Sequence, residues 1–323
     1  MTRSQSTWLL HFTVIIFGFT GILGKLISLP ADRLVFWRVF IGGGLIALWL
    51  LARGRYKAFP PQLRWKVIGV GWVAAAHWVT FFASIHVSSV SVALATLAVT
   101  PLFVSFLEPL IHRRRVDGRE IMLGLVIVAG LLLVLFAPYL EEGGWSAALK
   151  GFREGGDHVM GVGLALLSSA LAGLFSVLNS VLVRTHDSAN LSRLELLGAA
   201  GGLLLLFAFQ GAVWTPEFWA ISARDWLWII LLATVATSFA YLASIEVMRQ
   251  LTPFTIALAI NMEPVYSIVF AAWLFDEAKS LNAYFYAGAA TIIGTVFLNS
   301  AWKGWRRRQQ ARRPQGPGPR RIS

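Results

Sequence analysis

The most constraining feature of this sequence is a repeat that relates its two halves. Residues 83–87 (ASIHV) reappear as residues 243–247 (ASIEV). Residues 93–103 (ALATLAVTPLF) are matched in the same way by residues 257–266 (ALAINMEPVY). Both matches are about 160 residues apart. One structural unit has therefore been duplicated within the chain.

The composition indicates that each unit lies in a membrane. Of the 323 residues, 57% are hydrophobic and only 14% are charged, whereas about 25% of the residues in a soluble domain are charged. A membrane span needs roughly 20 apolar residues. Such stretches lie near residues 8–28, 33–52, 66–86, 89–112, 119–138, 159–183, 192–212, 225–247, 252–275 and 281–302. The sequence predicts an all-α integral membrane protein with ten transmembrane helices, and because five per half is an odd number, the halves form two inverted five-helix repeats.

Polar segments divide the chain into four predicted parts. Residues 1–138 form the first repeat and residues 159–302 form the second. Residues 139–158 hold two pairs of glycines and are predicted to be an outward-facing linker. Residues 303–323 are predicted to be a disordered basic tail, because their Arg, Gln, Pro and Gly content cannot build a core.

Lysine and arginine are distributed unevenly between the two sides of the predicted helices. With the N-terminus inside the cell, twenty-one of the 28 Lys and Arg residues fall in cytoplasmic segments and five in outer segments. This asymmetry follows the positive-inside rule, so both termini are predicted to be cytoplasmic. Although the net charge is +12, nucleic acid is not expected as a partner, because the charges lie in short loops and the tail.

Several short motifs resemble a known family. Residues 240–246 (AYLASIE), 251–253 (LTP), 261–265 (NMEPV) and 274–277 (LFDE) resemble the second-repeat signature of EamA-type transporters, in the drug/metabolite transporter superfamily. The first half carries a weaker version at residues 82–85 (FASI), at 100–102 (TPL) and at Glu108. Residues 112–115 (HRRR) depart from the acidic ending that the family often has after the fourth span. The resemblance implies ten helices in two inverted repeats, a bacterial inner membrane, and export or exchange of small metabolites.

Glu263 is the most informative candidate site residue. It lies near the middle of the ninth predicted helix, where a carboxylate is costly unless it faces a cavity, has a partner or carries a proton. Pro264 follows it, and the repeat counterpart of this pair is Thr100 with Pro101. Two proline-interrupted helices at corresponding places indicate a binding site between the repeats. Asn261 in the same motif is a further substrate-binding candidate, and the alternative for Glu263 is a hydrogen bond that only holds neighbouring helices together.

Other polar and aromatic residues are predicted to accompany Glu263. His77 is a candidate to pair with Glu263, relay a proton or contact substrate, with packing as the alternative. Arg38 is a candidate to bind a carboxylate, with a structural partner as the alternative. Glu195, near a cytoplasmic helix end, is assigned a structural or gating role. Aromatic side chains in membrane helices often face lipid, but five are candidates to line a cavity for a flat or cationic substrate: Trp37, Trp72, Trp78, Tyr241 and Tyr266.

Transport is the function that these features favour. The prediction is a secondary transporter that exports or exchanges small organic metabolites, such as amino acids, drugs or related solutes, by alternating access, with protons as a candidate coupling ion. The alternative is a channel or lipid translocator. An enzyme is not expected, because the sequence lacks H-E-x-x-H and G-x-S-x-G motifs, and the lack of a P-loop disfavours ATP hydrolysis. No cofactor or metal is expected, membrane lipid surrounds the protein, and the chain is predicted to be a monomer or a homodimer.

Overall fold

The computed structural model describes residues 1–113, 118–154, 156–260, 262–263, 266 and 281–312, which contain only helices and the turns between them. A π-helical segment spans Leu232–Phe239, and a 3-10 turn spans Ala212–Trp214. The α-helices of these residues are α1 (Arg3–Gly18), α2 (Thr20–Leu26), α3 (Ala31–Ala52), α4 (Pro61–Val87), α5 (Val90–Leu97), α6 (Thr100–His112), α7 (Gly118–Glu154), α8 (Asp157–Leu182), α9 (Ser188–Phe209), α10 (Pro216–Trp219), α11 (Ala223–Leu231), α12 (Ala240–Val247), α13 (Pro253–Ile260) and α14 (Ala283–Arg312).

Eight helical stretches in the described residues are long and apolar enough to cross a membrane. They are Arg3–Leu26, Ala31–Ala52, Pro61–Val87, Val90–His112, Met122–Glu141, Asp157–Leu182, Ser188–Phe209 and Ala223–Val247. They coincide with the first eight predicted spans, so the prediction of an all-helical, multi-pass membrane protein is confirmed. The ninth predicted span begins with α13, but residues 267–280 lie outside the described part of the chain. Helix α14 covers the tenth predicted span.

Two predicted boundaries differ from the structure. The linker predicted at residues 139–158 is largely helical, because a second helical stretch follows the two glycines 143–144 and continues to Glu154. Helix α7 is kinked at Gly143 and Gly144, and Gly144 has a φ of 67°, a conformation that glycine adopts without steric cost. At the other end of the chain, α14 continues to Arg312, so helical structure extends into the segment predicted as a disordered tail.

Local sequence signals explain where several helices begin. Thr2 and Gln5 form a capping box at α1, in which the Thr2 hydroxyl accepts from Gln5 N at 3.2 Å and Gln5 Oε1 accepts from Thr2 N at 2.8 Å. Ser89 caps α5 and Asp187 caps α9 through hydrogen bonds to backbone N–H groups. Pro61 occupies the first turn of α4, where its missing N–H costs nothing.

Glycines allow the helices of the two halves to approach closely. A Cβ atom at Gly71 in α4 would lie 2.1 Å from the backbone oxygen of Glu195 in α9. Likewise, a Cβ at Gly130 in α7 would lie 2.9 Å from the backbone oxygen of Gly288 in α14. Small residues supply such contacts in membranes because lipid gives no hydrophobic drive between helices. Of these four helices, α4 also lines the cavity described next.

Candidate functional site

A cavity lies between the two halves of the chain. Helices α1 to α6 contribute to its wall from the first half, and α8, α12, α13 and Glu263 contribute from the second. The cavity offers about 110 Å³ to the centres of water molecules, several times the roughly 10–15 Å³ that a single water occupies. It is therefore large enough for several waters or for a small organic molecule.

Broken helices shape the cavity wall. Helix α1 ends at Gly18 and α2 begins at Thr20, and both Phe17 and Thr20 line the cavity. Helix α5 ends at Leu97, and α6 begins at Thr100 with Pro101 in its first turn. The Thr100 hydroxyl donates to the Leu97 carbonyl at 2.7 Å, across this break. The interruption that the sequence places at Thr100 and Pro101 therefore lies at the cavity.

Arg38 is a buried cation at the cavity, with 1% of its surface exposed. Its guanidinium carbon lies 4.3 Å from the centre of the Trp78 ring and 5.5 Å from the centre of the Phe82 ring, so cation–π attraction stabilises its charge. Its Nε donates to Thr237 Oγ1 at 3.0 Å. No hydrogen bond joins its two terminal nitrogens to the described residues. Arg38 thus presents unused N–H donors in an apolar enclosure.

The Glu263 carboxyl group lines the same cavity and is 5% exposed. It is near enough to Arg38 for the two charges to interact. In the described part of the chain, however, no ion pair within 4 Å joins Glu263 to a basic side chain. A buried acid and a buried base that both face the cavity without pairing leave both groups available to a ligand.

His77 is held in place by α8. Its Nδ1 lies 3.0 Å from the Ser168 carbonyl oxygen and 2.8 Å from Ser168 Oγ, and Ser168 Oγ donates to the His77 carbonyl at 3.0 Å. Because a carbonyl oxygen only accepts, Nδ1 carries the hydrogen in this arrangement. The ring also stacks on Phe81, with centroids 6.3 Å apart. His77 lines the cavity, and within the described residues its Nε2 forms no hydrogen bond.

An aromatic wall faces these polar groups. The Tyr241 ring lies 5.4 Å from Trp78 and 5.5 Å from Phe175, measured between ring centroids. All three residues line the cavity. The Tyr241 hydroxyl donates to Glu195 Oε2 at 2.7 Å. Aromatic walls with a few polar groups are typical of sites for small organic ligands.

Six of the predicted site residues meet at this cavity: Glu263, His77, Arg38, Trp78, Tyr241 and Thr100. The roles assigned to them from the sequence stay predictions. Asn261 and Pro264 lie outside the described residues. Within those residues no group of His, Cys, Asp or Glu has an arrangement that could hold a metal ion.

Three of the aromatic residues proposed for the cavity lie elsewhere. Trp72 is 49% exposed, and its Nε1 donates to the Gly198 carbonyl at 3.0 Å. Trp37 packs against Trp226, with ring centroids 5.0 Å apart, and Tyr266 packs at the edge of the main core. None of the three is among the described residues that line the cavity. Trp37 and Arg38 are consecutive residues of α3 whose side chains point about 100° apart, so Arg38 faces the cavity while Trp37 packs against Trp226.

Sequence reasoning missed Thr237, Phe81 and Phe175. Phe81 and Phe175 belong to apolar runs in which no local signal separates a cavity position from a packing position. Thr237 contacts Arg38 because it sits in the π-helical segment, where its hydroxyl donates to the Leu232 carbonyl five residues earlier at 2.9 Å. A helical wheel of period 3.6 does not reproduce that geometry.

Similar proteins are found at the levels of family, sequence and fold. The sequence model of the EamA-like transporter family matches residues 6–136 and 159–301. A protein of Bacillus subtilis (strain 168) named "Uncharacterized transporter YxxF" is 21% identical over 272 residues, which is 83% of this chain and 82% of that protein. One solved crystal structure is similar with a TM-score of 0.63 and 17% identity, covering 91% of this chain and 96% of the other. At that identity the structural match shows the fold alone.

Proposed function

Because the chain belongs to the EamA-like transporter family, we propose that it is a secondary transporter that moves small organic solutes by alternating access. The observation that carries the proposal is the aromatic cavity between the two halves, in which Arg38 and Glu263 are buried and form no ion pair within the described residues. A family of transporters also gives no reason to expect an enzyme. The proposal includes small organic metabolites as the substrate class, ten helices in two inverted repeats, and both termini in the cytoplasm.

The charges of the cavity favour a substrate with a carboxylate group. A guanidinium group binds carboxylates through two parallel N–H···O bonds, and Trp78 and Thr237 hold the Arg38 plane in a fixed orientation. Glu263 offers a complementary site for a cationic group, such as an ammonium. A small organic molecule fits the available space. Amino acids and related zwitterions combine these properties.

Contacts between the halves at both ends of the bundle support alternating access. At one end, Asp225 Oδ1 accepts from Ser28 N at 2.8 Å and Asp225 Oδ2 accepts from Ser28 Oγ at 2.7 Å. At the other end, Arg55 pairs with Asp187 at 3.4 Å, and Arg193 donates to the Tyr56 hydroxyl at 3.1 Å. The sequence places the first group outside and the second in the cytoplasm. In the proposed cycle these groups of contacts break in turn, as ten helices in two inverted repeats rock about the cavity.

Counterflow into proteoliposomes tests the proposed function. The full-length protein is reconstituted with concentrated unlabelled amino acids or other small carboxylates inside, and the labelled compound is added outside. A carrier accumulates label transiently by exchange, whereas a channel lets both pools equilibrate. We expect counterflow for at least one carboxylate-bearing compound. Absence of counterflow for the whole panel by correctly folded protein would overturn the proposal.

Arg38→Lys tests the assigned role of the guanidinium group. Lysine keeps the charge but loses the planar pair of donors, so we expect the transported carboxylate to bind about 10- to 100-fold more weakly, the equivalent of a charged hydrogen bond of roughly 1.5–3 kcal/mol. The matched control is Arg33→Lys on the same helix, because Arg33 donates to the Glu217 carbonyl outside the cavity. Equal affinity in the two variants would contradict carboxylate binding by Arg38.

A further inference from the structure

A cluster of buried polar groups lies behind the cavity wall, around Glu195. Glu195 in α9 has no exposed surface. Its Oε2 accepts the Tyr241 hydroxyl at 2.7 Å, while its Oε1 has no hydrogen-bond partner among the described residues. Asn179 in α8 lies beside this carboxyl group. Neither Asn179 Oδ1 nor Asn179 Nδ2 has a partner in the same part of the chain.

The cluster adjoins the cavity through two side chains. Ser176 and Asn179 are three residues apart on α8, and so share a face of that helix, as do Ser192 and Glu195 on α9. The hydroxyls of Ser176 and Ser192 are also buried and unpartnered among the described residues. Ser176 and Tyr241 both line the cavity. The cluster is therefore one side chain away from the space that a substrate would occupy.

No described basic residue neutralises Glu195. Tyr241 is the titratable group that faces it from α12, and from α8 it meets the uncharged Asn179. From α4 it meets the backbone at Gly71, and the nearest titratable residue of that helix that lines the cavity is His77. Arg38 on α3 is close enough to Tyr241 to interact with it electrostatically, but within the described residues it forms no ion pair with Glu195. Arg193 is two residues away on α9, where side chains point in different directions, and it contacts Tyr56 and the Lys57 carbonyl.

These contacts suit a carboxyl group that gains and loses a proton. A buried carboxylate with one hydrogen bond and no cation is costly, and so are the unpaired amide atoms of Asn179. A proton on Glu195 Oε1 removes the charge and provides a donor for Asn179 Oδ1. When the proton leaves, rotation of the amide turns Asn179 Nδ2 towards the carboxylate as a donor. The Tyr241 hydroxyl donates to Oε2 in both states.

We propose that Glu195 is a proton-binding site of the transport cycle, separate from Glu263 and connected to the cavity by Tyr241 and Ser176. The proposal rests on the transport function above. In the net step a proton leaves a hydronium ion in the cavity water, passes Ser176 and binds to Glu195 Oε1, and a water molecule stays in the cavity. The reverse step returns the proton to water on the side to which the cavity is open. Helix α9 begins at Ser188, the end that the sequence predicts to be cytoplasmic. Glu195 lies about 10 Å along the helix from that end.

Infrared spectroscopy of the full-length protein in lipid nanodiscs tests proton binding without any substrate. The carbonyl stretch of a protonated carboxyl group is recorded while the pH is raised, in H₂O and in D₂O. We expect the wild-type spectrum to contain a protonated component that disappears in alkali and that Glu195→Gln removes. Glu217→Gln, at an exposed carboxyl group outside the spans, is the matched control and should keep it. Glu263→Gln should also keep the component that Glu195→Gln removes. A Glu195→Gln spectrum that superimposes on the wild type at every pH would refute the proposal.

A second variant covers the case in which Glu195→Gln does not fold. Glu195→Asp keeps a carboxyl group but changes its distance from Tyr241, so its titrating band should remain and be displaced. A band identical to that of the wild type would show that the signal comes from another residue, and would also refute the proposal.

Transport measurements separate this inference from the proposed function. With a substrate found by counterflow, Glu195→Gln should lose the stimulation of uptake by a pH gradient and retain exchange at equal pH. A gradient response equal to that of the wild type would overturn the role of Glu195 in coupling. If no substrate is found, the proposed function fails, while the infrared titration still decides whether Glu195 binds a proton.

Discussion

Replacing Gly71 with alanine should disturb a close backbone contact between the two halves. The added Cβ would lie 2.1 Å from the Glu195 carbonyl oxygen and 2.8 Å from its carbonyl carbon, whereas ordinary contacts begin at about 3.4 Å. Helices α4 and α9 must then separate by about 1.3 Å, because the atoms in contact belong to backbone and cannot rotate away. Overpacking of this kind typically costs about 1–3 kcal/mol. We expect Gly71→Ala to lower the free energy of unfolding, measured by SDS titration of the purified protein, by that amount.

The matched control for this substitution is Gly69→Ala, two residues before Gly71 on the same helix. A Cβ at Gly69 meets nothing within 4 Å, and alanine favours a helix over glycine by up to about 1 kcal/mol. Gly69→Ala should therefore leave the stability unchanged or raise it. The same unfolding transition in the two variants, or a larger loss in Gly69→Ala, would refute the packing of α4 against the α9 backbone. Because Glu195 itself is displaced, Gly71→Ala should also change the infrared band assigned to that carboxyl group.

Three further predictions concern coupling, topology and the tail. The Glu263→Gln variant should fold and insert yet lose gradient-driven transport; an unchanged transport rate and pH dependence would make Glu263 a structural residue. The His77→Ala variant should bind substrate about tenfold more weakly in a direct binding assay, because it loses one hydrogen bond. Reporter fusions at residues 58, 116 and 310 should report the cytoplasm, and one at residue 148 the outside; an external signal at both 58 and 116 contradicts the ten-helix topology. Truncation after Arg308 should leave transport intact, because the residues that it removes cannot build a core. Loss of activity at normal expression would contradict this prediction.

The course of the helices was predictable because it depends on lengths of apolar sequence. Lipid requires each spanning segment to satisfy its own backbone hydrogen bonds, so a run of about 20 apolar residues has few alternatives to a helix. The helical continuation of α7 to Glu154 was not visible in that pattern, since residues 139–154 are mixed in polarity. The interruptions were visible only where proline marks them. Thr100 with Pro101 was found, and the break at Phe19 was not.

The candidate site was predictable where a residue is costly in lipid. Arg38, His77 and Glu263 stand out because an ionisable side chain inside a span needs a reason to be there, and the structure brings all three to one cavity. The sequence assigns Glu195 to a cytoplasmic helix end because it lies close to the start of the predicted span 192–212. Its complete burial depends on Gly71 and Tyr241, which come from other helices. Such an environment is a property of the packed bundle, and neither α9 nor its neighbours in sequence encode it.

The π-helical segment links the geometry of Arg38 to that of the aromatic wall. Each π turn holds more residues than an α turn, so the segment Leu232–Phe239 changes the direction in which every later residue of that span points. With this change, Thr237 meets Arg38 and Tyr241 faces the cavity, while Ser238 Oγ donates to the Gly42 carbonyl in α3 at 3.2 Å. A return of the segment to α geometry would move Thr237 and Tyr241 together. The binding group, the aromatic wall and the hydroxyl that bonds to Glu195 are therefore mechanically connected through one short stretch of backbone.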